Sequence, residues 1–152
     1  MSEIGDAIQE KCMAFGDRIV KLNDYLLETA ANEKPSYTMV KGKRVYAKTV
    51  PLHLKSVANL SNQLLRSGTS IGANNAEATN AISKADFKSK SFIALKEARE
   101  SLYWIDLLHR NNYLTNEQYN SIYKDAEELV RVLVNRCKKL NEEGNDSKGE
   151  DI

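Results

Sequence analysis

The sequence contains few of the residues that mark specialised protein classes. Its two cysteines, Cys12 and Cys137, are too few for a disulfide framework or a cysteine-based metal motif. Two prolines and seven glycines in 152 residues exclude collagen-like and proline-rich chains. No hydrophobic run approaches the roughly 20 residues of a membrane-spanning helix, and the first residues do not form a secretory signal. We therefore expect a single cytoplasmic domain, without a membrane partner, that buries its own core.

An excess of charge of either sign is also lacking. The 22 basic and 21 acidic residues give a net charge of +1, so the whole chain has no electric field that would attract nucleic acid or membranes. The basic residues are nevertheless unevenly distributed, because residues 34–55 contain six of them and no acidic residue. The nearly neutral total therefore conceals a local charge of +6.

Catalytic motifs are absent as well. The sequence has no glycine-rich phosphate loop, no G-x-S-x-G and no Cys-x-x-Cys. Asp106 and His109 have the spacing of the carboxylate-x-x-His element of di-iron bundles, but such a site needs two of these elements and further carboxylates. We interpret His109 as a solvated side chain near a helix end, and we expect no enzyme activity, no metal site and no cofactor.

A helical repeat fills most of the chain. Four segments have apolar residues at alternating steps of four and three, as in Ile8, Cys12, Phe15 and Ile19, which places them on one side of a helix. Stripes this narrow are buried by neighbouring helices, and the short connection after the third segment favours antiparallel neighbours. The sequence predicts an all-α fold, an antiparallel up-down-up-down four-helix bundle over residues 1–144, followed by a disordered acidic tail at 145–152. The four helices are predicted at about 3–31, 53–81, 84–112 and 116–143.

Local signals mark three of the helix boundaries. Ser83 with Asp86, and Thr115 with Gln118, have the spacing of a capping box ahead of the third and fourth helices. Gly144 follows the last apolar turn and predicts a helix end in a left-handed conformation.

Residues 34–55 interrupt the helical repeat between the first two helices. They hold both prolines, and two segments rich in β-branched and aromatic residues flank the sequence KGKR, in which Gly42 can adopt a positive φ. This pattern predicts a short basic β-hairpin with a four-residue loop. Because an isolated hairpin is marginally stable in water, we expect it to pack against the end of the bundle or against a partner.

The second helix combines two glycines with a polar stripe. Gly68 and Gly72 each cost about 1 kcal/mol relative to alanine, so we expect them to allow a neighbouring helix to approach closely. We interpret the polar stripe and two glutamates on the third helix as a semi-buried structural network in which Arg66 pairs with Glu77 or Glu100; a ligand site is the alternative. The network comprises Gln63, Arg66, Ser70, Asn74, Glu77, Glu97 and Glu100.

The cysteines lie in the first and last helices. In an up-down-up-down bundle the start of the first helix and the end of the last lie at the same end, so Cys12 and Cys137 could come close. In a reducing cytoplasm we expect two buried thiols that behave as small hydrophobic side chains.

The third helix has apolar residues outside its main stripe. Phe92, Leu95 and Leu102 lie on a second face that a single bundle leaves uncovered. Exposed apolar patches usually mark an interface, so we expect a cyclic homo-oligomer.

Three segments resemble a known family. QLLRSGTSIGANNAEATNAISKADFKSKSFIALKEARESLYWIDLL is similar to the signature of the 23S ribosomal RNA intervening-sequence proteins, and AFGDRIVKLNDYL and EELVRVLVNRCKKL are similar to their first and last helices. The sequence departs from the family in its longer, more basic 34–55 segment and at Asn75, where an aliphatic residue is usual. The resemblance implies a bundle that is often a homopentamer and has no known catalytic activity. A relative in fold, the accessory variability protein of diversity-generating retroelements, is a basic pentamer that binds nucleic acid and a reverse transcriptase.

Two functional hypotheses follow. The first is a non-enzymatic homo-oligomer, pentameric by resemblance, that binds RNA or DNA as an accessory to a reverse transcriptase or in association with ribosomal RNA insertions. Basic side chains would contact phosphates and tyrosines would stack on unpaired bases. The alternative is a protein–protein scaffold without a nucleic-acid role. The candidate nucleic-acid-binding residues are Lys34, Tyr37, Lys41, Lys43, Arg44, Tyr46, Lys48 and Lys55.

Overall fold

The computed structural model describes residues 3–32, 37–46 and 52–146. In this part of the chain there are four long helices, and a two-stranded sheet lies between the first two of them in sequence: α1 (Glu3–Asn32), β1 (Tyr37–Val40), β2 (Lys43–Tyr46), α2 (Leu52–Thr79), α3 (Lys84–Arg110) and α4 (Asn116–Asp146). Each helix packs against the next one in the chain, and α4 returns to contact α1. The predicted up-down-up-down four-helix bundle with a hairpin insert is confirmed.

The apolar stripes of the four helices form one core. Each fully buried large side chain contributes about 1.5–3 kcal/mol relative to an exposed one. No helix in the described part of the chain has the length and hydropathy needed to cross a membrane. The largest hydrophobic side chains at the centre of the core are Phe15 and Ile19 of α1, Leu64 and Ile71 of α2, Ile105 and Leu108 of α3, and Leu129 and Leu133 of α4.

The contact between α1 and α4 is the most sparsely packed of the four. Among the described residues, two charged pairs cross it, Lys11 with Glu128 at 2.5 Å and Arg18 with Asp125. Partly exposed pairs of this kind contribute about 0–1 kcal/mol each. The seam is therefore weakly closed compared with the three seams between consecutive helices.

A capping box begins α4, as predicted, whereas the predicted pair at α3 forms only the bond to the N-cap side chain. At α3, the Asp86 backbone N–H donates to Ser83 Oγ at 3.1 Å, and the Asp86 carboxylate accepts from the Ile82 N–H at 3.2 Å. At α4 the exchange is reciprocal, since the Gln118 N–H donates to Thr115 Oγ1 at 3.2 Å and the Thr115 N–H donates to Gln118 Oε1 at 2.9 Å. These side chains satisfy backbone N–H groups that have no partner within their helices.

The connection between α3 and α4 begins with an asparagine in the left-handed region. Asn112 has a φ of 61°, and its N–H donates to the His109 carbonyl at 2.9 Å. The Tyr113 N–H donates to the Leu108 carbonyl at 3.0 Å. These two bonds form a Schellman motif, which explains why α3 ends at Arg110, two residues before the predicted end.

The predicted end of α4 is wrong. The helix continues through Gly144 to Asp146, and residues 147–152 of the predicted tail lie outside the described residues. A helical glycine costs about 1 kcal/mol relative to alanine, and a helix of this length tolerates that cost. The helix would end at Gly144 only if this residue adopted the left-handed conformation of a cap. Gly144 therefore lies within α4.

Gly68 and Gly72 bring α1 and α2 close together, as predicted. A Cβ atom added at Gly68 would lie 3.0 Å from Ile19 Cγ1, and one added at Gly72 would lie 3.4 Å from Cys12 Cβ. Ile19 and Cys12 are both buried in the core. The missing side chains thus provide the space that these two residues of α1 occupy.

Candidate nucleic-acid interface

The insert forms a tight antiparallel hairpin. Val40 pairs with Lys43, so the turn consists of Lys41 and Gly42, with φ values of 49° and 76°. Two central residues with positive φ are typical of the type I′ turn, whose twist matches that of the two strands. The predicted four-residue loop is therefore wrong. Lys43 and Arg44, assigned to the loop from the sequence, belong to β2.

The strand register places the aromatic and basic residues on defined faces. Tyr37 pairs with Tyr46 and Met39 with Arg44, so these four positions lie on one face of the hairpin. The Arg44 guanidinium carbon is 4.8 Å from the centre of the Tyr37 ring, within the range of a cation–π contact. A planar ring and a planar cation thus lie together on an open surface.

The hairpin is exposed and makes no contact with the helices within the described residues. Met39 is 58% exposed, and the apolar side chains of Val40 and Val45 are about half exposed. The expected packing against the end of the bundle is therefore not found in the part of the chain that the structure describes. A partner remains as the proposed source of stability for this hairpin.

The basic candidates that can be placed are all exposed. Lys41 lies in the turn, Lys43 and Arg44 on β2, and Lys55 in the first turns of α2. None of them forms an ion pair with an acidic side chain among the described residues. Their charges are therefore available to a ligand. Two further candidates lie outside the described residues, Lys34 and Lys48, and the structure describes Tyr46 through its backbone pairing alone.

The polar stripe on α2 does not form the expected network. Arg66 is exposed, and no ion pair joins it to Glu77 or Glu100. Glu77 instead pairs with Lys90 of α3. The stripe faces outward because helical spacing shows which residues share a side of a helix but does not show which side faces a neighbour. Of the remaining stripe residues, Gln63 is exposed, whereas Ser70 and Asn74 are half-buried and joined by a hydrogen bond from Asn74 Nδ2 to the Ser70 carbonyl within α2.

The two glutamates of α3 are in a different environment. Burial raises the pKa of Glu97, and the negative charge of Glu100 raises it further, against opposing effects of Lys96 and Arg66. Glu100 accepts a hydrogen bond from Trp104 Nε1 at 3.0 Å. The hydrogen bond between Trp104 and Glu100 lies within α3, whereas Arg66 acts on Glu97 from α2.

A buried polar chain that the sequence analysis missed joins three helices near one end of the bundle. Asn75 of α2 is fully buried, and its Nδ2 donates to Gln9 Oε1 of α1 at 2.6 Å. Arg136 of α4 donates from Nη1 to Asn75 Oδ1 at 2.6 Å. Buried polar groups need such partners. The signal in the sequence was Asn75 itself, since it departs from the aliphatic residue usual in the family.

Both cysteines are free and buried, as expected. Burial raises the pKa of the Cys12 thiol to about 11, with the positive charge of Arg136 acting in the opposite direction. Burial also raises the pKa of Cys137, against the charges of Arg136 and Arg99. Reaction requires the thiolate, so neither cysteine has the environment of a nucleophile.

His109 and Asp106 both interact with Tyr119. The His109 ring stacks on the Tyr119 ring at 4.1 Å, and its Nε2 is 2.9 Å from Asn116 Oδ1. Asp106 accepts a hydrogen bond from the Tyr119 hydroxyl at 2.8 Å, which raises the pKa of Tyr119 to about 12. No group of three or more potential metal ligands occurs in the described part of the chain.

The proposed oligomer face of α3 is smaller than the sequence indicated. Leu95 is 7% exposed and belongs to the core, and Leu102 is half-buried against the core. Phe92 and its neighbour Ile93 are each 37% exposed and border a groove between α3 and α4. These two residues are the apolar part of this face that remains open.

The comparisons with known proteins bear on this fold. The family model described as 23S rRNA-intervening sequence protein matches residues 37–135, a range that includes the hairpin. A crystal structure from Bacteroides thetaiotaomicron VPI-5482, of a protein with unknown function from the S23 ribosomal protein family, is 38% identical. Its TM-score is 0.69, and the match covers 89% of this chain and 98% of that chain. A comparison with curated proteins found no match.

Proposed function

The chain belongs to the family of 23S rRNA-intervening sequence proteins, and on this basis we propose that it is a non-enzymatic homo-oligomer that binds RNA or DNA through its hairpin. One observation carries the proposal. The hairpin is basic, free of acidic residues and exposed, and it contacts none of the described helices. A hairpin in this position has the charge and exposure needed to contact a polyanion.

The positions of the charges suit contacts to a phosphate backbone. Lys41 lies in the turn, while Lys43 and Arg44 follow each other on β2 and therefore point to opposite faces. Basic side chains in this arrangement can reach phosphates around the turn of the hairpin without sequence preference. The Tyr37 ring, with Arg44 beside it, supplies a surface on which an unpaired base can stack.

The partner proteins are part of the same proposal. The resemblance to the accessory variability protein of diversity-generating retroelements supports a pentameric assembly and a reverse transcriptase as a protein partner. The alternative setting is an insertion in a ribosomal RNA gene. The genes next to this one distinguish the two settings, since the first requires an adjacent reverse transcriptase and the second a flanking ribosomal RNA gene.

The direct test compares two triple variants that remove the same number of charges. The first neutralises the hairpin by Lys41→Gln, Lys43→Gln and Arg44→Gln. The matched control neutralises three exposed basic residues of α1 and α4 by Lys21→Gln, Lys124→Gln and Arg131→Gln. Binding of a fluorescent RNA oligonucleotide and its DNA counterpart is measured by anisotropy at low salt.

The proposal expects the hairpin triple variant to lose most of its affinity and the control to keep it. Both variants should melt as wild type does, because surface substitutions usually change stability by less than about 0.5 kcal/mol. Equal losses in the two variants would show that binding follows net charge and not the hairpin. Absence of wild-type binding to either oligonucleotide would refute the proposal.

A protein–protein scaffold is the second candidate, and the open apolar side chains favour it. Met39, Val40 and Val45 leave the hairpin with exposed apolar surface that nucleic acid does not need. A scaffold predicts that substituting these three residues disrupts a protein complex and that the charge substitutions leave it intact. The nucleic-acid proposal predicts that the charge substitutions weaken oligonucleotide binding and that the substitutions of Met39, Val40 and Val45 leave it intact.

A further inference from the structure

A cavity of about 720 Å³ lies at the end of the bundle where α1 begins and α2 ends. The start of α3 and the last third of α4 complete its wall. This end cavity lies beside the weakly closed α1–α4 seam. Its volume falls within the range of about 300–1,000 Å³ that is typical of small-molecule sites.

Arg136 lines the end cavity and forms no ion pair with a carboxylate among the described residues. Its side chain is half-buried, and the hydrogen bond to Asn75 Oδ1 fixes it at 2.6 Å. Asn75 is in turn held by Gln9, so the chain that positions the guanidinium is neutral. Burial lowers the pKa of Arg136, against opposing effects of Cys12 and Cys137, which reflects the cost of keeping a positive charge in a partly buried position.

The electrostatics of the lining are one-sided. Lys84 and Lys139 join Arg136 on the wall, and no acidic side chain lines the end cavity among the described residues. A group with negative charge would therefore be attracted by Arg136 and by the exposed Lys84 and Lys139 at the rim.

Apart from Thr79, Ser83 and Asn135, the rest of the lining is apolar. Ile8, Val132 and Leu140 contribute aliphatic surface, and the Phe87 ring lies 5.7 Å from the Arg136 guanidinium carbon. An inorganic ion bound at Arg136 would leave this apolar surface exposed to water. An apolar group attached to the anion would cover it and gain about 25 cal/mol for each Å² of apolar area removed from water.

We propose that the end cavity binds a small amphipathic anion. Its carboxylate or phosphate group contacts Arg136, and its apolar body lies against Ile8, Phe87 and Leu140. The guanidinium offers several N–H donors in one plane, which suits a bidentate contact with either head group. Only one of these donors is used in the hydrogen bond to Asn75, so the others are available to a ligand.

The test uses octanoate and octyl phosphate below their micelle concentrations, with 1-octanol as the uncharged analogue. Dissociation constants are measured on the full-length protein by titration in ¹H–¹⁵N NMR, which also follows the side-chain signals of Arg136 and Asn75. Three variants are compared with wild type. Arg136→Gln removes the charge, Ala81→Phe fills the cavity from its wall, and Arg131→Gln removes an exposed charge elsewhere on α4.

The proposal expects at least one anion to bind and to shift the Arg136 and Asn75 signals. Arg136→Gln should weaken binding about 10- to 100-fold, as expected for loss of a charge-assisted contact. Ala81→Phe should abolish binding, and Arg131→Gln should leave it unchanged. If Arg136→Gln does not fold, Ala81→Phe still tests the site. The anion with the lower dissociation constant identifies the head group that the site prefers.

Three results would overturn the proposal. The first is equal affinity for 1-octanol and octanoate, which would show that no charge is recognised. The second is binding that Ala81→Phe leaves intact, which would place the ligand elsewhere. The third is no binding of either anion at low millimolar concentration. The hairpin triple variant should bind the anions as wild type does, so this test is independent of the nucleic-acid proposal.

Discussion

Adjacent asparagines on α2 show how finely burial differs from one residue to the next. Asn74 is half-buried and donates to the Ser70 carbonyl of its own helix at 2.9 Å. Asn75 is fully buried and connects α1 to α4 through Gln9 and Arg136. From its spacing, Asn74 was predicted to join a polar network, whereas Asn75 stood out only as an unusual residue for the family. Composition and spacing alone do not separate these two roles.

Substituting the two asparagines separately tests this difference. Asn75→Leu should lower the free energy of unfolding by about 1–3 kcal/mol, because Gln9 and Arg136 lose their buried partner. Asn74→Leu should cost less than about 1 kcal/mol, since it removes a hydrogen bond within one helix. Urea denaturation monitored by circular dichroism measures both values. Equal costs would show that the buried chain is not important for stability.

The glycines permit a second matched comparison. Gly68→Ala should destabilise the protein by about 1–2 kcal/mol, because crowding against the buried Ile19 side chain exceeds the gain in helix propensity. At Gly16 an added Cβ meets nothing within 4 Å, so Gly16→Ala should stabilise the protein by about 0.5–1 kcal/mol. Opposite signs in thermal melting would confirm the close approach of α1 and α2. A stabilising effect at both positions would contradict it.

At the scale of whole elements, features that depend on local sequence were predictable. The helices follow the apolar repeat, and the Ser83 and Thr115 caps depend on residues three positions apart. Features that depend on a neighbouring element were harder to predict. The orientation of Arg66 depends on where α3 packs, and the end of α4 depends on a cap that Gly144 does not form. The hairpin turn was misjudged because KGKR has the composition of a loop, although its last two residues pair in β2.

The hairpin face that carries Tyr37 has a specific expected effect. Tyr37→Ala should weaken binding to single-stranded oligonucleotides by about 1–3 kcal/mol, because a base loses its stacking surface. Duplex binding should change little, since paired bases are not available for stacking. Tyr103→Ala, at an exposed tyrosine of α3, is the control and should affect neither. Anisotropy titrations with single-stranded and duplex forms of one sequence measure the difference. Similar losses for both forms would exclude stacking.

At the scale of the whole molecule, uncovered apolar surface remains on more than one element. Phe92 and Ile93 on α3 are exposed together with Val40 and Val45 on the hairpin. A cyclic assembly could cover such surface by contact between copies. Because these residues lie outside the core, contact between copies could bury them without a change in the packing of the bundle.

Sedimentation tests the assembly. We expect the wild-type protein to sediment as an oligomer at micromolar concentration, pentameric by resemblance. The double variant Phe92→Glu with Ile93→Glu should sediment closer to the monomer, because burying these charges at an interface is costly. Val20→Glu, at an exposed position of α1, should leave the assembly unchanged. A wild-type mass of one chain, 17.1 kDa, would contradict the proposed oligomer.

The salt dependence of binding tests the claim that the hairpin charges bind phosphates. Each phosphate contact releases counterions, so the logarithm of affinity should fall against the logarithm of salt concentration with a slope of about −0.9 per contact on duplex and −0.7 on a single strand. Neutralising Lys41, Lys43 and Arg44 should therefore make the slope shallower by about 2 to 3 units. A slope that is unchanged in this variant would contradict the claim and place the contacts on another surface.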